Sequence, residues 1–449
     1  MNRHDYLEQL TEQIRCRRAR PMIEEEIRGH IDEQKQDYMA DGMTEAEAEE
    51  AAVREMGDPV EVGVELDRIH RPKLDKTLVA VISILAVLGM ITQMFLAKAG
   101  EENGAAGVLP SYDMVATLLS MGVWTLLGMV LMLVLFYADY TLLGKYALWA
   151  WGAVAAGLFC YRLWGNRVNG GYPKTVIFIY AMVPVFAGVV YYYRGKGTRG
   201  FLKSLLWGMG AAMLLLLVPN VGKPGLVLLL VLSEATVLLA AVRKRWFGRE
   251  RKKKTLCVLG MCLFLPMALV LLLFCRNGGQ LAEYQKQRLE RFGKPSQDFV
   301  YVQVKEWFDK DAGEAEEGNI ETEVTEESLL DGMIWWDAVR SDFLWIYMFK
   351  QFGYGFGIGC ILLVTVFFYW LFRMIHRQKN QLGYMISLGC AVMLLLQTLV
   401  YAAVNMGLLP RASVYMPFFS YGRINSFITY LYMGLFLSIS SNRMIVPAK

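Results

Sequence analysis

Ten long apolar stretches constrain this chain more strongly than any other feature, because each is long enough to cross a bilayer as a helix. Backbone N–H and C=O groups inside hydrocarbon must pair within their own segment, so such stretches become α-helices. The 449 residues are 55% hydrophobic, which is too apolar for a soluble domain. The sequence therefore predicts an all-α, polytopic membrane protein with ten transmembrane helices. The predicted spans are residues 77–97, 113–136, 143–161, 174–193, 201–219, 222–242, 255–275, 351–372, 383–406 and 418–440.

The first 73 residues are highly charged and predict a small soluble helical domain ahead of a membrane domain at 74–449. Thr44 and Glu47 have the spacing of a capping box that starts the third helix, and residues 57–59 (Gly-Asp-Pro) are predicted to end it and cap the fourth. No chemistry is visible in this domain, so a bundle that only aids folding and a docking or regulatory domain both remain open. The helical patterns lie at roughly 3–18, 20–41, 44–56 and 58–70.

Basic residues are concentrated in three predicted loops that fall on the same side of the membrane under this span count. Because cytoplasmic loops carry an excess of Lys and Arg, that side is predicted to be cytosolic, together with both termini. The long segment at 276–342 then becomes an extracellular loop, with an acidic run at 309–317. The basic clusters are Arg194, Lys196, Arg199 and Lys203; the eight Lys and Arg residues within 243–254; and Arg373, Arg377 and Lys379.

Several functional classes find no support in the composition. The formal net charge is +4, and the basic residues are explained by membrane topology, so nothing predicts nucleic-acid binding. The seven cysteines are scattered and the four histidines lie in stretches expected to be cytosolic. Neither residue type has metal-ligand spacing, so no protein metal site and no cofactor is evident.

Three motifs in order along the membrane domain resemble those of the SEDS family (FtsW, RodA and SpoVE). The sequence GLLPRASVYMPFFSYG at 407–422 is similar to the family pattern GLLP...PF.SYGGS. The segment YQKQRLERFGKP at 284–295, followed by Asp298 and Gln303, resembles a second family segment, and SDFLW at 341–345 resembles the family's TDFIF. The resemblance implies a ten-helix, membrane-embedded peptidoglycan glycosyltransferase of the cytoplasmic membrane that works with a class B penicillin-binding protein.

The resemblance also implies roles for individual residues. Asp342 stands where the family has its catalytic aspartate, so it is the candidate base that activates a sugar hydroxyl for attack on lipid II. Arg162 lies in a YRLW stretch that resembles the family's RRW, and further cations are needed to hold the departing diphosphate. Whether a divalent cation also helps to hold the diphosphate is left open. The candidate substrate-binding residues are Arg162, Lys223, Arg288, Gln303, Arg411, Ser420 and Tyr421, and further exterior cations are Arg167, Arg340 and Arg423.

The N-terminal segment has a resemblance of its own. Residues 56–59 (Met-Gly-Asp-Pro), followed by Val62, Leu66 and Ile69 on one helical face, resemble the permease-prefix (HAAS-like) domain found ahead of membrane domains in Firmicutes. This resemblance implies a Gram-positive origin. It leaves the process that the protein serves undecided among division, elongation and sporulation.

The chain departs from the family pattern at several positions, so other functions stay open. Ala338 replaces a glutamate, residues 350–351 (Lys-Gln) replace an acidic pair, and Arg423 interrupts SYGGS. One alternative is a non-catalytic relative that binds lipid II or a transpeptidase, with Asp342 only an N-cap residue ahead of the eighth span. Another is a flippase or transporter for lipid-linked precursors, which predicts ionisable residues within the spans, where Glu234 is the clearest.

Overall fold

The computed structural model describes residues 2–15, 19–70, 75–105, 114–166, 172–217, 224–276, 339–409 and 414–441. Every regular element in those ranges is an α-helix, which confirms the all-α prediction. The chain divides into two compact units. The first consists of Met1–Asp75, Gln378–Gln381 and Ser438–Lys449, and the second of Lys76–Arg377 and Leu382–Leu437.

Four helices form the N-terminal part of the first unit. Ile23, Ile27 and Ile31 recur every four residues on the second helix and are buried, as are Tyr6 and Leu10 on the first. Together they form an apolar core shared by the four helices. The helices are α1 (Arg3–Glu12), α2 (Arg20–Ala40), α3 (Glu45–Glu55) and α4 (Pro59–His70).

Helix starts in this unit follow the sequence signals. The Thr44 N–H donates to Glu47 Oε2 at 3.2 Å, as a capping box at the start of α3 requires, and the Thr44 hydroxyl donates to the same oxygen at 2.6 Å. Asp58 Oδ1 accepts from the N–H of Val60 at 2.7 Å and so caps α4. Of the three apolar residues on one face of α4, Val62 and Leu66 pack against the core, whereas the Ile69 side chain is 57% exposed. The resemblance of this domain to the permease-prefix domain stays a prediction.

Long helices account for most of the described chain after Asp75. Glycines allow close approach between several of them. A Cβ on Gly89 would lie 2.1 Å from the Phe418 carbonyl oxygen, and one on Gly128 would lie 2.3 Å from the Tyr430 ring. The helices are α5 (Lys76–Ala105), α6 (Met114–Tyr137), α7 (Leu142–Lys145), α8 (Ala147–Trp164), α9 (Thr175–Tyr192), α10 (Gly197–Leu217), α11 (Pro224–Arg243), α12 (Arg251–Arg276), α13 (Leu344–His376), α14 (Gln381–Asn405) and α15 (Arg423–Ser441).

Within the described ranges, seven helical segments are long and apolar enough to cross a membrane. The protein is therefore a multi-pass membrane protein. The other three predicted spans correspond to α8, α10 and α12, so the count of ten stays a prediction. The seven segments are Lys76–Ala99, Val115–Tyr137, Thr175–Tyr192, Gly225–Arg243, Leu344–His376, Gln381–Asn405 and Arg423–Ser441.

Two of the three basic regions meet within the second unit. The Gly195 N–H donates to the Trp246 carbonyl at 2.9 Å, which joins the loop before α10 to the loop after α11. The Lys244 ammonium lies 3.8 Å from the centre of the Tyr384 ring at the start of α14. The first contact places the first two basic loops on the same side, as the loop charges predict. The place of the third loop and the assignment of that side to the cytosol stay predictions.

The long helix α13 is interrupted near its start. Gly353 has φ 78° and ψ 169°, which is far from helical backbone and unfavourable for a residue with a Cβ. The eighth span was predicted to begin at residue 351, but helical backbone already begins at Leu344. The interruption separates a short first part of α13 from the longer part that continues to His376.

Candidate functional site

Asp342 lies between a helical turn at 339–341 and the start of α13. It is only 7% exposed, and Arg340 is 3% exposed, so this segment is buried within the second unit. Phe343 occupies the N-cap position of α13. The interpretation of Asp342 as the N-cap residue is therefore wrong, because the helix starts one position later than that role requires.

Side chains from distant elements bind the backbone on either side of Asp342. Gln93 Nε2 of α5 donates to the Arg340 carbonyl at 3.2 Å, and Ser420 Oγ donates to the Ser341 carbonyl at 2.8 Å. Asn405 Nδ2, at the end of α14, donates to the Asp342 carbonyl at 2.8 Å. Three successive carbonyl groups are thus held by three different parts of the chain, which fixes the direction in which the segment runs.

The start of α13 is held in the same way. The Leu344 N–H donates to the Tyr401 hydroxyl of α14 at 3.0 Å. Asn405 also donates to the Tyr401 carbonyl at 2.9 Å, so the end of α14 and the start of α13 form one hydrogen-bonded unit. The Trp345 ring packs edge-on against Tyr401, with 5.7 Å between ring centres. Because these donors and acceptors are buried, leaving one unpaired is costly, and the arrangement resists displacement.

Arg340 and Tyr421 form a stacked pair beside Asp342 in the chain. The Arg340 guanidinium carbon lies 4.0 Å from the centre of the Tyr421 ring, which is close enough for a cation–π interaction. The Tyr421 N–H also donates to the Arg340 carbonyl at 3.3 Å. This pair places a buried positive charge two residues from the Asp342 carboxylate.

The segment that carries Ser420 and Tyr421 contains a tight turn. The Phe419 N–H donates to the Met416 carbonyl at 3.3 Å, and Pro417 occupies the second position, where its fixed φ is favourable. Phe418, at the third position, has a φ of 70°, which a side chain other than glycine rarely adopts. Met416 N–H donates to Ser420 Oγ at 2.9 Å, so the turn aims the serine hydroxyl at Ser341.

A second group of polar side chains is hydrogen-bonded to the start of the segment that carries Ser420 and Tyr421. Gln397 Nε2 of α14 donates to the Tyr415 carbonyl at 3.0 Å, and Gln397 Oε1 accepts from the Tyr180 hydroxyl of α9. The Tyr432 hydroxyl of α15 donates to the Tyr180 carbonyl at 2.8 Å. Hydrogen bonds between buried polar groups therefore connect helices α9, α14 and α15 to one another next to the turn.

The other predicted site residues are described in part. Arg162 is exposed at the last turn of α8, and its carbonyl accepts from the Tyr172 hydroxyl at 2.8 Å. Its role and the roles of Asp342, Ser420 and Tyr421 stay predictions. The remaining predicted residues lie outside the described residues: Lys223, Arg288, Gln303 and Arg411, with Arg167 and Asp298.

A sequence model of the cell cycle protein family FtsW/RodA/SpoVE matches residues 76–445, which is most of the chain. The chain belongs to this family. The match covers the whole of the site described above, from Gln93 to Tyr421, which agrees with the resemblance seen in the motifs.

Curated relatives of this family member match over shorter segments. "Probable peptidoglycan glycosyltransferase FtsW" of Thioalkalivibrio sp. (strain K90mix) is 31% identical over 22% of this chain and 26% of its own length. The protein of the same name from Enterococcus hirae is 32% identical over 23% of this chain and 26% of its own length. The chain thus spans about a quarter of the length of these relatives.

Solved structures share the fold over most of their length. A chain from a study of how a peptidoglycan synthase complex coordinates polymerization and crosslinking aligns with a TM-score of 0.60 at 18% identity, over 82% of this chain and 98% of that chain. A variant of the rod shape determining protein RodA of Thermus thermophilus aligns with a TM-score of 0.50 at 16% identity, again over 82% and 98%.

Three residues of the site were missed by sequence reasoning: Gln93, Tyr401 and Asn405. Gln93 lies inside the first predicted span, where a polar side chain is costly unless it is bonded. The presence of Gln93 in an apolar span therefore indicated a buried polar contact. The structure shows that contact, because the Gln93 amide binds both the Arg340 and the Phe419 carbonyl. Tyr401 and Asn405 lie near a span end, where polar residues are common, so no comparable signal marked them.

Glu234 of α11 is the acid that the transporter alternative singled out. It is 1% exposed, and within the described residues neither carboxylate oxygen has a hydrogen-bond partner. A Cβ on Gly208 of α10 would lie 3.2 Å from Glu234 Oε2, and one face of the carboxyl group therefore packs against bare helix backbone. The residue forms no polar cluster with the Asp342 segment in the described contacts.

Proposed function

We propose that this protein is a peptidoglycan glycosyltransferase that polymerises lipid II at the outer face of the cytoplasmic membrane. The observation that carries this proposal is the fixed backbone at Asp342, whose carbonyl and its two predecessors are bonded by Asn405, Ser420 and Gln93. A segment that only connects two helices does not need three side-chain contacts of this kind. The names of the relatives and the family membership support the same activity.

The proposed reaction requires one base and several cations. A sugar hydroxyl attacks the anomeric carbon of a lipid-linked disaccharide, the new C–O bond forms, and the bond to the undecaprenyl diphosphate breaks. The Asp342 carboxylate accepts the hydroxyl proton, and the diphosphate leaves with its negative charge. Arg340, Arg162, Lys223, Arg288 and Arg411 are the cations proposed to stabilise that charge.

Arg340 is the cation to which the described geometry gives most support. Its guanidinium is buried on the Tyr421 ring, so its position is fixed before any substrate binds. A charge that is already in place when the diphosphate develops needs no reorganisation during the reaction. Ser420 and Tyr421 are proposed to act at the same site.

The first experiment measures glycan ladders formed from fluorescent lipid II by the purified protein in detergent. Wild type is compared with Asp342→Asn, and Glu250→Gln at an exposed position serves as the matched amide control. We expect Asp342→Asn to lower turnover by ~10² to ~10⁴-fold, because a positioned base contributes about that much, and Glu250→Gln to match wild type. Arg340→Lys, which keeps the charge but not the planar stack, should reduce turnover less.

Two results would count against the enzyme proposal. Wild type that is folded and binds lipid II but forms no ladder indicates a non-catalytic family member that binds lipid II or a transpeptidase. Ladders of equal yield from wild type and Asp342→Asn indicate that another residue is the base. The question of a divalent cation is separate. Within the described ranges, no group of three or more His, Cys, Asp or Glu side chains could hold a metal ion. Ladder formation in the presence of a chelator tests whether a divalent cation is needed.

Partner and topology belong to the same proposal. A class B penicillin-binding protein is proposed to crosslink the glycan, and both termini, with the prefix domain at 1–73, are proposed to lie in the cytosol of a Gram-positive cell. Co-purification with a candidate transpeptidase tests the partner. Labelling of a cysteine introduced at each end of the chain, in intact and opened cells, tests the topology.

A further inference from the structure

A cavity of about 450 Å³ lies between α8 and α10, away from the Asp342 segment. Its volume is within the range of ligand-binding cavities. Helix α9 packs against both α8 and α10, and Tyr193, which directly follows α9, is one of the lining residues. The lining residues are Trp151, Tyr193, Lys203, Leu206, Trp207 and Gly210.

The walls of the cavity are mostly aromatic and apolar. The Trp151 and Trp207 rings pack edge-on with 4.6 Å between their centres, and Leu206 is 65% exposed. Gly210 leaves room at the deep end, where a Cβ would lie 3.8 Å from Trp151 Cζ2. From Lys203 to Gly210 the cavity extends about 10 Å along α10, at 1.5 Å per residue. It therefore reaches from the loop end of the helix into the apolar region.

Two lysines lie around the Tyr193 ring, which lines the cavity. Lys203 is itself a lining residue, and its ammonium group is 5.8 Å from the centre of that ring. The ammonium group of Lys196 is 5.0 Å from the same centre and 4.0 Å from the centre of the neighbouring Tyr192 ring. Neither lysine is part of an ion pair in the described chain. Two like charges near one ring repel each other, and an anion close to both reduces that repulsion.

A polar hydrogen is also available on the cavity wall. Trp207 Nε1 donates to the Tyr193 hydroxyl at 3.2 Å, which leaves the hydroxyl hydrogen free to point elsewhere. Within the described residues, Trp151 Nε1 is buried and has no hydrogen-bond partner, so Trp151 contributes only its ring to the wall.

We infer that this cavity binds one anionic phospholipid, with its phosphate at Lys196 and Lys203 and one acyl chain along Leu206 and Gly210. The two ammonium groups match a phosphate, and the apolar wall formed by Trp151, Leu206 and Trp207 matches an acyl chain. A soluble phosphate would leave the apolar depth unfilled, whereas a neutral lipid would leave the two ammonium groups without a counter-charge. Both halves of the cavity are satisfied only by a molecule that is anionic at one end and apolar at the other.

The test is a native mass-spectrometry titration of the delipidated full-length protein with phosphatidylglycerol and, separately, phosphatidylcholine. We expect phosphatidylglycerol to bind with a Kd at least about tenfold lower, since a charged hydrogen bond is worth about that factor. Lys203→Gln should raise the Kd for phosphatidylglycerol about tenfold and leave that for phosphatidylcholine unchanged. Gly210→Leu should weaken both lipids, because it fills the apolar end.

Lys145→Gln is the matched control. Lys145 is also exposed and lies against a tyrosine ring, at 5.2 Å from the centre of Tyr146, but it does not line the cavity. We expect this variant to bind phosphatidylglycerol like wild type. Equal weakening by Lys145→Gln and Lys203→Gln would overturn the proposal, because it would show only a general attraction between basic loops and anionic lipid.

Two further arms identify the ligand. Glycerol phosphate without acyl chains should not displace phosphatidylglycerol, and displacement at similar concentration would overturn the role of the apolar depth. Undecaprenyl phosphate, if it displaced phosphatidylglycerol at lower concentration, would overturn the phospholipid assignment in favour of a lipid carrier. None of these measurements depends on glycan synthesis, so they stand whether or not the proposed activity is found.

Discussion

Each carbonyl oxygen from Arg340 to Asp342 accepts a hydrogen bond from a side chain in a different part of the chain. A catalytic carboxylate has to be held within a fraction of an ångström of its productive position, and backbone anchoring achieves this without occupying the carboxylate itself. Asn405 contributes most here, because its single amide group binds both the Asp342 and the Tyr401 carbonyl.

The substitution Asn405→Asp tests this anchoring at the level of one atom. It keeps the shape of the side chain but turns the donor toward both carbonyls into an acceptor. We expect turnover in the ladder assay to fall at least about tenfold and the free energy of unfolding to fall by about 1–3 kcal/mol, since two buried carbonyls lose their partner.

Ser387→Ala is the control for Asn405→Asp. Ser387 is buried on the same helix, but its hydroxyl bonds only the Gly383 and Tyr384 carbonyls of that helix. Its loss should lower stability slightly and leave turnover unchanged. Wild-type turnover in Asn405→Asp would contradict the anchoring role.

Among the helices, α5 determines where the turn at 416–419 lies. Gly89 brings the α5 backbone against the Phe418 carbonyl, and Gln93, one turn further along, bonds the Phe419 and Arg340 carbonyls. The two residues lie four positions apart and so share one face of the helix. That face holds both the turn and the Asp342 segment.

Gly89→Ala should separate these elements. The added Cβ would lie 2.1 Å from the Phe418 carbonyl oxygen, so either α5 or the turn has to move. We expect the free energy of unfolding to fall by about 1–3 kcal/mol, as for other overpacked sites, together with loss of ladder formation. Gly122→Ala on α6, where nothing lies within 4 Å of the new Cβ, should leave the unfolding midpoint and ladders unchanged, and an equal effect of both would contradict this account.

The burial of Glu234 leads to a prediction about the stability of the packing of α9, α10 and α11. A buried carboxyl group without a partner destabilises the fold, so Glu234→Met should raise the unfolding free energy by about 1–3 kcal/mol and leave ladder formation intact. Glu234→Gln keeps a buried polar group and should change stability much less. If both variants lost activity, Glu234 would have a functional role of the kind that transport requires.

Considering the whole chain, the N-terminal unit has its own dependence on pH. Hydrogen bonds from the Thr44 side chain and backbone lower the pKa of Glu47, and the hydrogen bond from Lys35 lowers the pKa of Glu45. A lowered folded-state pKa stabilises the unit above the ordinary glutamate pKa, and this stabilisation is lost as pH falls through the folded-state value.

Acidification should therefore loosen α3 before the apolar core unfolds. Hydrogen exchange of the full-length protein, corrected for intrinsic rates, should show faster exchange in α3 peptides as pH falls below the ordinary glutamate range. Glu47→Gln should show part of this loosening already at neutral pH, whereas Glu50→Gln, at an exposed position of the same helix, should resemble wild type. Equal protection in all three proteins would exclude a contribution from the capping box.

The sequence by itself determined the local features of this protein. The starts of α3 and α4 follow from Thr44, Glu47 and Asp58, because capping depends on residues a few positions apart. The apolar runs predicted membrane helices for the same reason, since hydrogen bonding within a helix is local. Ordered motifs led to the family, although the helix of the eighth span begins at Leu344 and not at the predicted residue 351.

Only the tertiary structure decided what surrounds Asp342. Gln93 bonds residues 247 and 326 positions away, and no periodicity relates positions so far apart. Burial of Arg340 on Tyr421 likewise depends on where the turn at 416–419 packs, which Gly89 permits from another helix. The hydrophobic pattern of a sequence indicates which face of a helix is apolar. Which other helix packs against that face is determined by the packing of all the helices together.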